Sequence, residues 1–298
     1  MSGVAMPEQG TVRANGLTFG TLTWSPTGPD ADRAPLALLL HGYPDSAWTW
    51  RHVAPRLAAA GWRVVAPWSR GYAPTDLAPN DRYRAADLGD DAIALHAALG
   101  GDERGVLVGH DWGAIASWAV AARPAQPFAR IVAMSVPPPL ALLTVWRRPA
   151  TWGTGARQLG MSWYMAYNQL PVERTLGRVI PRLWRAWSPG LDGRDEAQRA
   201  LLALAGPGRR RAALQYYRDN LRGGGALALF GLRPAVPVLT LHGEQDGCLQ
   251  PEMADVAEPL LAPGSRSERV PGAGHFLPLE RPEDVASRIL AWIGRSVA

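Results

Sequence analysis

At 298 residues, 47% of them apolar, and with a net charge of +5, the chain has room for one large α/β domain carrying an insertion, or two modest domains, around a well-packed core. All 31 basic residues are arginine, which excludes a lysine Schiff base or a Ser–Lys dyad, and the densest basic run, Arg209-Arg210-Arg211, reads as a solvated helix face with no nucleic-acid stripe beside it. The single cysteine, Cys248, excludes an internal disulfide and a multi-cysteine metal site.

The first residues carry neither a basic nor an apolar leader region, and no apolar run approaches the length of a membrane span, so a cytoplasmic location with no membrane partner is expected. Residues 11–24 predict an antiparallel hairpin turning at Asn15-Gly16. Strand-like runs then alternate with helical patterns: strand 36–40, helix from Ala47 to Ala60, strand 62–66, helix from Ala85 to Leu99, strand 105–108, helix from Ala114, strand 131–134. Such alternation predicts βαβ units in a doubly wound, mostly parallel sheet. At Pro137-Pro138-Pro139 the pattern breaks. From there to about Gly231 the segment reads as helical and aromatic, with Gly223-Gly224-Gly225 as a loop leaving it. Alternation resumes with strand 236–241, a short strand near Arg269-Val270 and a helix from Pro282 to Ile293. The expected organisation is a core of residues 1–137 and 231–298 interrupted by a helical cap, or lid, over 138–230.

The most informative stretch is Gly109-His110-Asp111-Trp112-Gly113, set between an apolar strand and an apolar helix. That is the strand–tight turn–helix context of a nucleophile elbow, with aspartate where ester hydrolases carry serine. A carboxylate attacking an acyl carbon would yield only an anhydride, whereas attack on sp³ carbon yields a stable ester, so the residue type points to opening a carbon–oxygen or carbon–halogen bond.

Ligands of open α/β sheets bind outside the carboxyl ends of the strands. Two further loops there carry polar groups: His242-Gly243-Glu244-Gln245-Asp246 and Gly272-Ala273-Gly274-His275-Phe276. The order nucleophile, acid, histidine is that of the α/β-hydrolase scaffold. His41 and His242 also precede glycine at strand ends, His52 and His96 lie within helices, and His110 should point away from the nucleophile's side. Only His275 stands between a terminal strand and the last helix. Asp246 is preferred to Glu244 because it ends its loop.

Together, His41-Gly42-Tyr43-Pro44, Arg70-Gly71-Tyr72, the Gly-His-Asp-Trp-Gly elbow and Gly-x-Gly-His-Phe resemble the epoxide hydrolases of the α/β-hydrolase fold. The resemblance implies Asp111 as nucleophile forming a hydroxyalkyl ester, His275 as the base that activates water to hydrolyse it, and Asp246 as its orienter. It also implies an oxyanion hole from the backbone N–H groups of Tyr43 and Trp112. Opening an epoxide leaves an alkoxide that needs a proton, and the family supplies two lid tyrosines. Here Tyr164-Met165-Ala166-Tyr167-Asn168-Gln169 and Tyr216-Tyr217-Arg218 match those segments. Tyr164 and Tyr217 are carried over, with Tyr167 and Tyr216 as their nearest competitors.

The chain departs from the family at Pro67-Trp68-Ser69-Arg70 and Ala73-Pro74-Thr75, beside the pocket, which bears on substrate range. The expected ligand is a small hydrophobic epoxide, with no metal and no cofactor, on a monomer or homodimer. Two other readings are a haloalkane dehalogenase using the same aspartate and a non-catalytic ligand receptor on the same fold. The first expects Asn or Glu where this chain has Tyr43 and needs no tyrosine pair.

Overall fold

The computed structural model describes residues 6–27, 29 and 31–294. Strands β1 (Glu8–Ala14), β2 (Leu17–Trp24), β3 (Leu36–Leu40), β4 (Arg63–Pro67), β5 (Val106–His110), β6 (Arg130–Met134), β7 (Val238–Gly243) and β8 (Arg266–Val270) form one eight-stranded sheet in the order β1-β2-β4-β3-β5-β6-β7-β8. The β1–β2 and β2–β4 pairs are antiparallel and the others parallel. Asn15 (φ 46°) and Gly16 (φ 75°) both take the left-handed conformation that a two-residue hairpin turn requires.

Every residue of β3 and β5 is buried, so both faces of the sheet centre must be covered. Helices α1 (Ala54–Ala59), α2 (Ala85–Ala98) and α3 (Trp112–Ala121) belong to the first half of the core. Between β6 and β7 come α4 (Ala141–Thr144), α5 (Trp152–Met161), α6 (Trp163–Tyr167), α7 (Leu176–Trp187), α8 (Arg194–Ala203), α9 (Arg209–Asn220) and α10 (Gly223–Phe230). After β7 follow α11 (Glu252–Ala257), α12 (Leu277–Glu280) and α13 (Pro282–Ile293). α2 packs on α3, and α1 on α13, clothing the sheet in two helical groups. Each buried leucine of β3 contributes about 1.5–3 kcal/mol by leaving water. Among the described residues, none between 138 and 230 is in a strand, and no helix is long and apolar enough to cross a membrane.

Three local expectations are corrected. The helix expected from Ala47 to Ala60 is a 3₁₀ turn (Ala47–Trp50) followed by α1, because Pro55 lacks the N–H that a continuous helix would need. The strand expected over 236–241 begins only at Val238, past Pro237. The triple glycine 223–225 opens α10 instead of forming a loop. There the chain folds back so closely on the end of α9 that a Cβ on Gly225 would lie 1.7 Å from the carbonyl oxygen of Asp219. Glycine is spent on close approach at that point, not on flexibility.

Candidate active site

Asp111 is the single residue between β5 and α3, at φ 53° and ψ −114°. Positive φ is costly for a residue with a side chain, and here close packing enforces it. A Cβ on Gly113 would lie 2.1 Å from the carbonyl oxygen of Leu40, so β3 and the start of α3 touch backbone to backbone. The turn drives the Asp111 side chain toward the loop after β3. There Gly42 leaves room for it: a Cβ on Gly42 would lie 2.3 Å from both Cβ and Oδ1 of Asp111. The Tyr43 N–H donates to Asp111 Oδ1 at 2.7 Å. Trp112, first residue of α3, holds a helix-start N–H that has no intrahelical acceptor.

Oδ2 of Asp111 lies 3.5 Å from Nε2 of His275. Nδ1 of His275 lies 2.9 Å from Oδ2 of Asp246. The other oxygen of Asp246 accepts the N–H groups of Cys248 (2.7 Å) and Leu249 (2.9 Å), which fix the carboxylate's orientation. Burial alone would push the imidazole toward neutrality, but Asp246 and then Asp111 outweigh it and raise His275 from 6.5 to about 10. Burial likewise opposes ionisation of Asp246, yet the charge and hydrogen bond of His275 hold it below its ordinary range.

The rival residues are occupied elsewhere. Glu244 is exposed at the start of the loop that buries Asp246. Nε2 of His41 accepts the Ser69 N–H at 3.0 Å, so its proton sits on Nδ1, 2.9 Å from the Gly42 carbonyl, and burial lowers its pKa to about 4. His242 donates to the Leu249 carbonyl (2.9 Å) from behind Asp246. His96 pairs with the Asp102 carbonyl at the far end of α2, and His52 lies half-buried just before α1. His110 turns away from the Asp111 side chain, as alternation along β5 requires, and donates from Nε2 to the His275 carbonyl at 2.8 Å. Burial, then the charge of His275, lowers its pKa to about 4. The same carbonyl accepts the hydroxyl of Ser135 at 2.7 Å.

The helical stretch between β6 and β7 reaches directly into this group. The Trp187 carbonyl at the end of α7 accepts the N–H groups of both His275 and Gly247, each at 3.0 Å. Trp184 stacks on Phe276 with ring centroids 3.5 Å apart and donates its indole N–H to the Pro44 carbonyl. Asp111 opens into a cavity lined by Trp112, Ile115, Val136, Leu142, Tyr164, Met165, Tyr217, Leu229 and Phe230 among others. Apart from Asp111, its polar contributors are Ser162, Tyr164, Tyr217 and the indole of Trp112.

Within each tyrosine pair the structure separates the members. Tyr164 and Tyr217 line the cavity, edge-on to each other at 5.9 Å. Tyr216 instead donates to the Arg70 carbonyl at 2.8 Å, and the hydroxyl of Tyr167 bonds to Thr175 on the outer side of the helices. Burial pushes Tyr164 and Tyr217 well above the ordinary tyrosine pKa, so both keep their protons. One residue that the sequence reading passed over joins the group: Cys248, whose Sγ lies 3.2 Å from the Tyr164 hydroxyl. Nothing in the local pattern around Cys248 marks it, because the contact spans 84 residues.

With strand order, elbow and polar group in place, the likeness to known proteins becomes specific. Residues 35–282 match the family described as alpha/beta hydrolase fold. The chain is 30% identical to epoxide hydrolase A of Mycobacterium tuberculosis over 96% of this chain and 97% of that protein. It is 28% identical to an AB hydrolase superfamily protein of Bacillus subtilis, over 95% and 96%. The structure of an epoxide hydrolase from Vigna radiata superposes with a TM-score of 0.74 at 25% identity, covering 98% of this chain and 99% of that one. This chain belongs to the epoxide hydrolase family of the α/β-hydrolase fold.

Proposed function

We propose that the protein hydrolyses small hydrophobic epoxides to vicinal diols through a covalent ester on Asp111. Oδ2 of Asp111 attacks an epoxide carbon from the side opposite the ring oxygen; the carbon–oxygen ring bond breaks, and the departing oxygen takes a proton from Tyr164 or Tyr217. The product is a hydroxyalkyl ester and one tyrosinate. Esterification removes the Asp111 charge that helps hold His275 protonated, and the imidazolium passes its proton to the tyrosinate. Water then adds to the carboxyl carbon of Asp111 and gives a proton to the neutral His275, which Asp246 orients. The oxyanion forms on Oδ1, to which the Tyr43 N–H already donates, and the Trp112 N–H at the start of α3 is the second donor of the proposed oxyanion hole. Collapse breaks the bond between that carbon and the substrate oxygen, releasing the diol and restoring Asp111. The proton that His275 takes from water restores its resting charge, the tyrosine having regained its own before water added. The helices of residues 138–230 act as the cap that carries the tyrosines and excludes water.

The observation that carries this reading is the shared cavity: one apolar chamber presents a buried carboxylate and two protonated tyrosines to the same ligand. A dehalogenase would need no acid for an alkoxide and so would leave the paired protonated tyrosines without a role. The test is a panel of styrene-type and alkyl epoxides beside haloalkanes, scored for diol and for halide. Diol without halide is expected. Halide release with no diol would overturn the reading.

A further inference from the structure

Helix α7 has two unlike faces. Its inner face buries Leu176, Val179, Ile180, Leu183, Trp184 and Trp187 and clamps the loops of His275 and Gly247. Its outer face carries Arg178, Arg182 and Arg185, with Arg174 one turn ahead. At steps of four and three residues, these three helix arginines fall within about 60° of the helix circumference and form a stripe about 10 Å long, which Arg174 extends from the 3₁₀ turn (Glu173–Thr175) just before the helix. All four are exposed, and among the described residues none has an ion pair or side-chain hydrogen bond.

The stripe belongs to a wider asymmetry. Residues 138–230 hold 14 arginines against five carboxylates, net +9, while the rest of the chain holds 17 against 21, net −4. Beside the stripe runs a groove formed by Arg157, Met161, Trp163, Arg182, Leu183 and Ala186. Trp163 is 51% exposed there, and Arg157 spends its Nε on neutral Gln250, leaving its charge uncompensated.

We propose that this face docks on an anionic lipid surface, with lipid phosphates along the arginine stripe and Trp163 at the level of the headgroups. Guanidinium groups pair bidentately with phosphate, and tryptophan settles at the lipid–water boundary. A second copy of the chain is a poor occupant, because a two-fold axis would set stripe against stripe. The indole and thioether interleaved with the arginines favour a boundary with an apolar layer over a nucleic-acid backbone. The sequence-based expectation of no membrane partner rested on the lack of a spanning segment, which peripheral docking does not require. The face is backed by the cavity wall: Met161 and Trp163 face the groove, while Ser162, Tyr164 and Met165, on the same short stretch, line the cavity. Docking would hold the cavity close to the phase in which apolar molecules dissolve. The proposal stands apart from the reaction assigned above.

Co-sedimentation with vesicles tests it. The protein should bind vesicles of mixed phosphatidylcholine and phosphatidylglycerol at low salt, release at high salt, and ignore pure phosphatidylcholine. Combining Arg178→Gln, Arg182→Gln and Arg185→Gln should weaken binding roughly a hundredfold. Trp163→Ser should weaken it by a smaller factor and leave its salt dependence in place. Turnover of a freely soluble epoxide and the melting temperature should stay unchanged in all of them. Failure to bind the mixed vesicles, equal binding by the triple variant, equal binding to pure phosphatidylcholine, or equal binding to duplex DNA would each overturn the proposal.

Discussion

Tyr216 and Tyr217 stand side by side on α9, and both set their rings edge-on to Trp112, at 5.4 and 5.2 Å. Successive residues on a helix point about 100° apart. One hydroxyl therefore reaches the Arg70 carbonyl and the other tyrosine enters the cavity beside Asp111.

Replacing each with phenylalanine should separate a structural hydroxyl from a catalytic one. Tyr217→Phe and Tyr164→Phe should each slow ester formation about tenfold or more, and the double variant by roughly 10²–10⁴-fold, the range for a general acid. Tyr216→Phe removes a buried hydrogen bond, so it should cost about 1 kcal/mol of stability and leave the rate nearly unchanged. Single-turnover kinetics and chemical denaturation read the two effects. Equal slowing by Tyr216→Phe and Tyr217→Phe would refute the division.

In the proposed mechanism Asp111 needs no base to attack carbon, whereas hydrolysis of its ester needs one. His275→Gln should therefore form the ester and stall. Intact-protein mass spectrometry should show an added mass equal to that of the epoxide. An unmodified mass with a substrate that the wild type consumes would remove His275 from the second step.

The origin of the new oxygen distinguishes ester formation from direct attack by water. In a single turnover with excess enzyme in ¹⁸O-water, the diol should emerge unlabelled and Asp111 should carry the label. Labelled diol from that first turnover would rule out the covalent route, whatever the substrate range. Asp111→Ala should abolish turnover, since nothing else at the elbow supplies a nucleophile.

The pKa of about 10 at His275 depends on two carboxylates. Because it lies above the ordinary 6.5, the resting imidazole is cationic at neutral pH. The associated stability is fully present below pH 6.5 and is lost as pH rises through about 10. Asp111→Asn removes one carboxylate, as esterification does, so the pKa should fall. Histidine NMR titrations of wild type and variant should show the lower value in the variant, with its stability loss beginning and ending at lower pH. Identical titration of the two would mean that Asp111 does not act on this imidazole. Ester breakdown should correspondingly speed up with pH through the lowered value.

Much of the fold was legible because its signals are local. Apolar runs of strand length marked the parallel strands, Asn15-Gly16 marked the hairpin, and glycine on either side of Asp111 marked a turn too tight for a side chain. The boundaries that moved did so for reasons of contact or proline chemistry, as at Gly225, Pro55 and Pro237. A glycine run looks the same whether it supplies freedom or clearance, and only the neighbouring chain decides which.

The sequence by itself determined the order of elements, the aspartate at the elbow and the loops that bring acid and histidine to the strand ends, because each follows from short-range periodicity or turn geometry. Tertiary structure alone decided which side chain of each pair turns inward. It buried Asp246 against His275 and left Glu244 in solvent; it sent Tyr164 and Tyr217 into the cavity and Tyr167 and Tyr216 to other partners. It also set Cys248 against Tyr164 and turned three arginines of α7 outward, with Arg174 just ahead of them. The face that a helix or loop presents depends on what packs against its other side, and that partner lies tens of residues away along the chain.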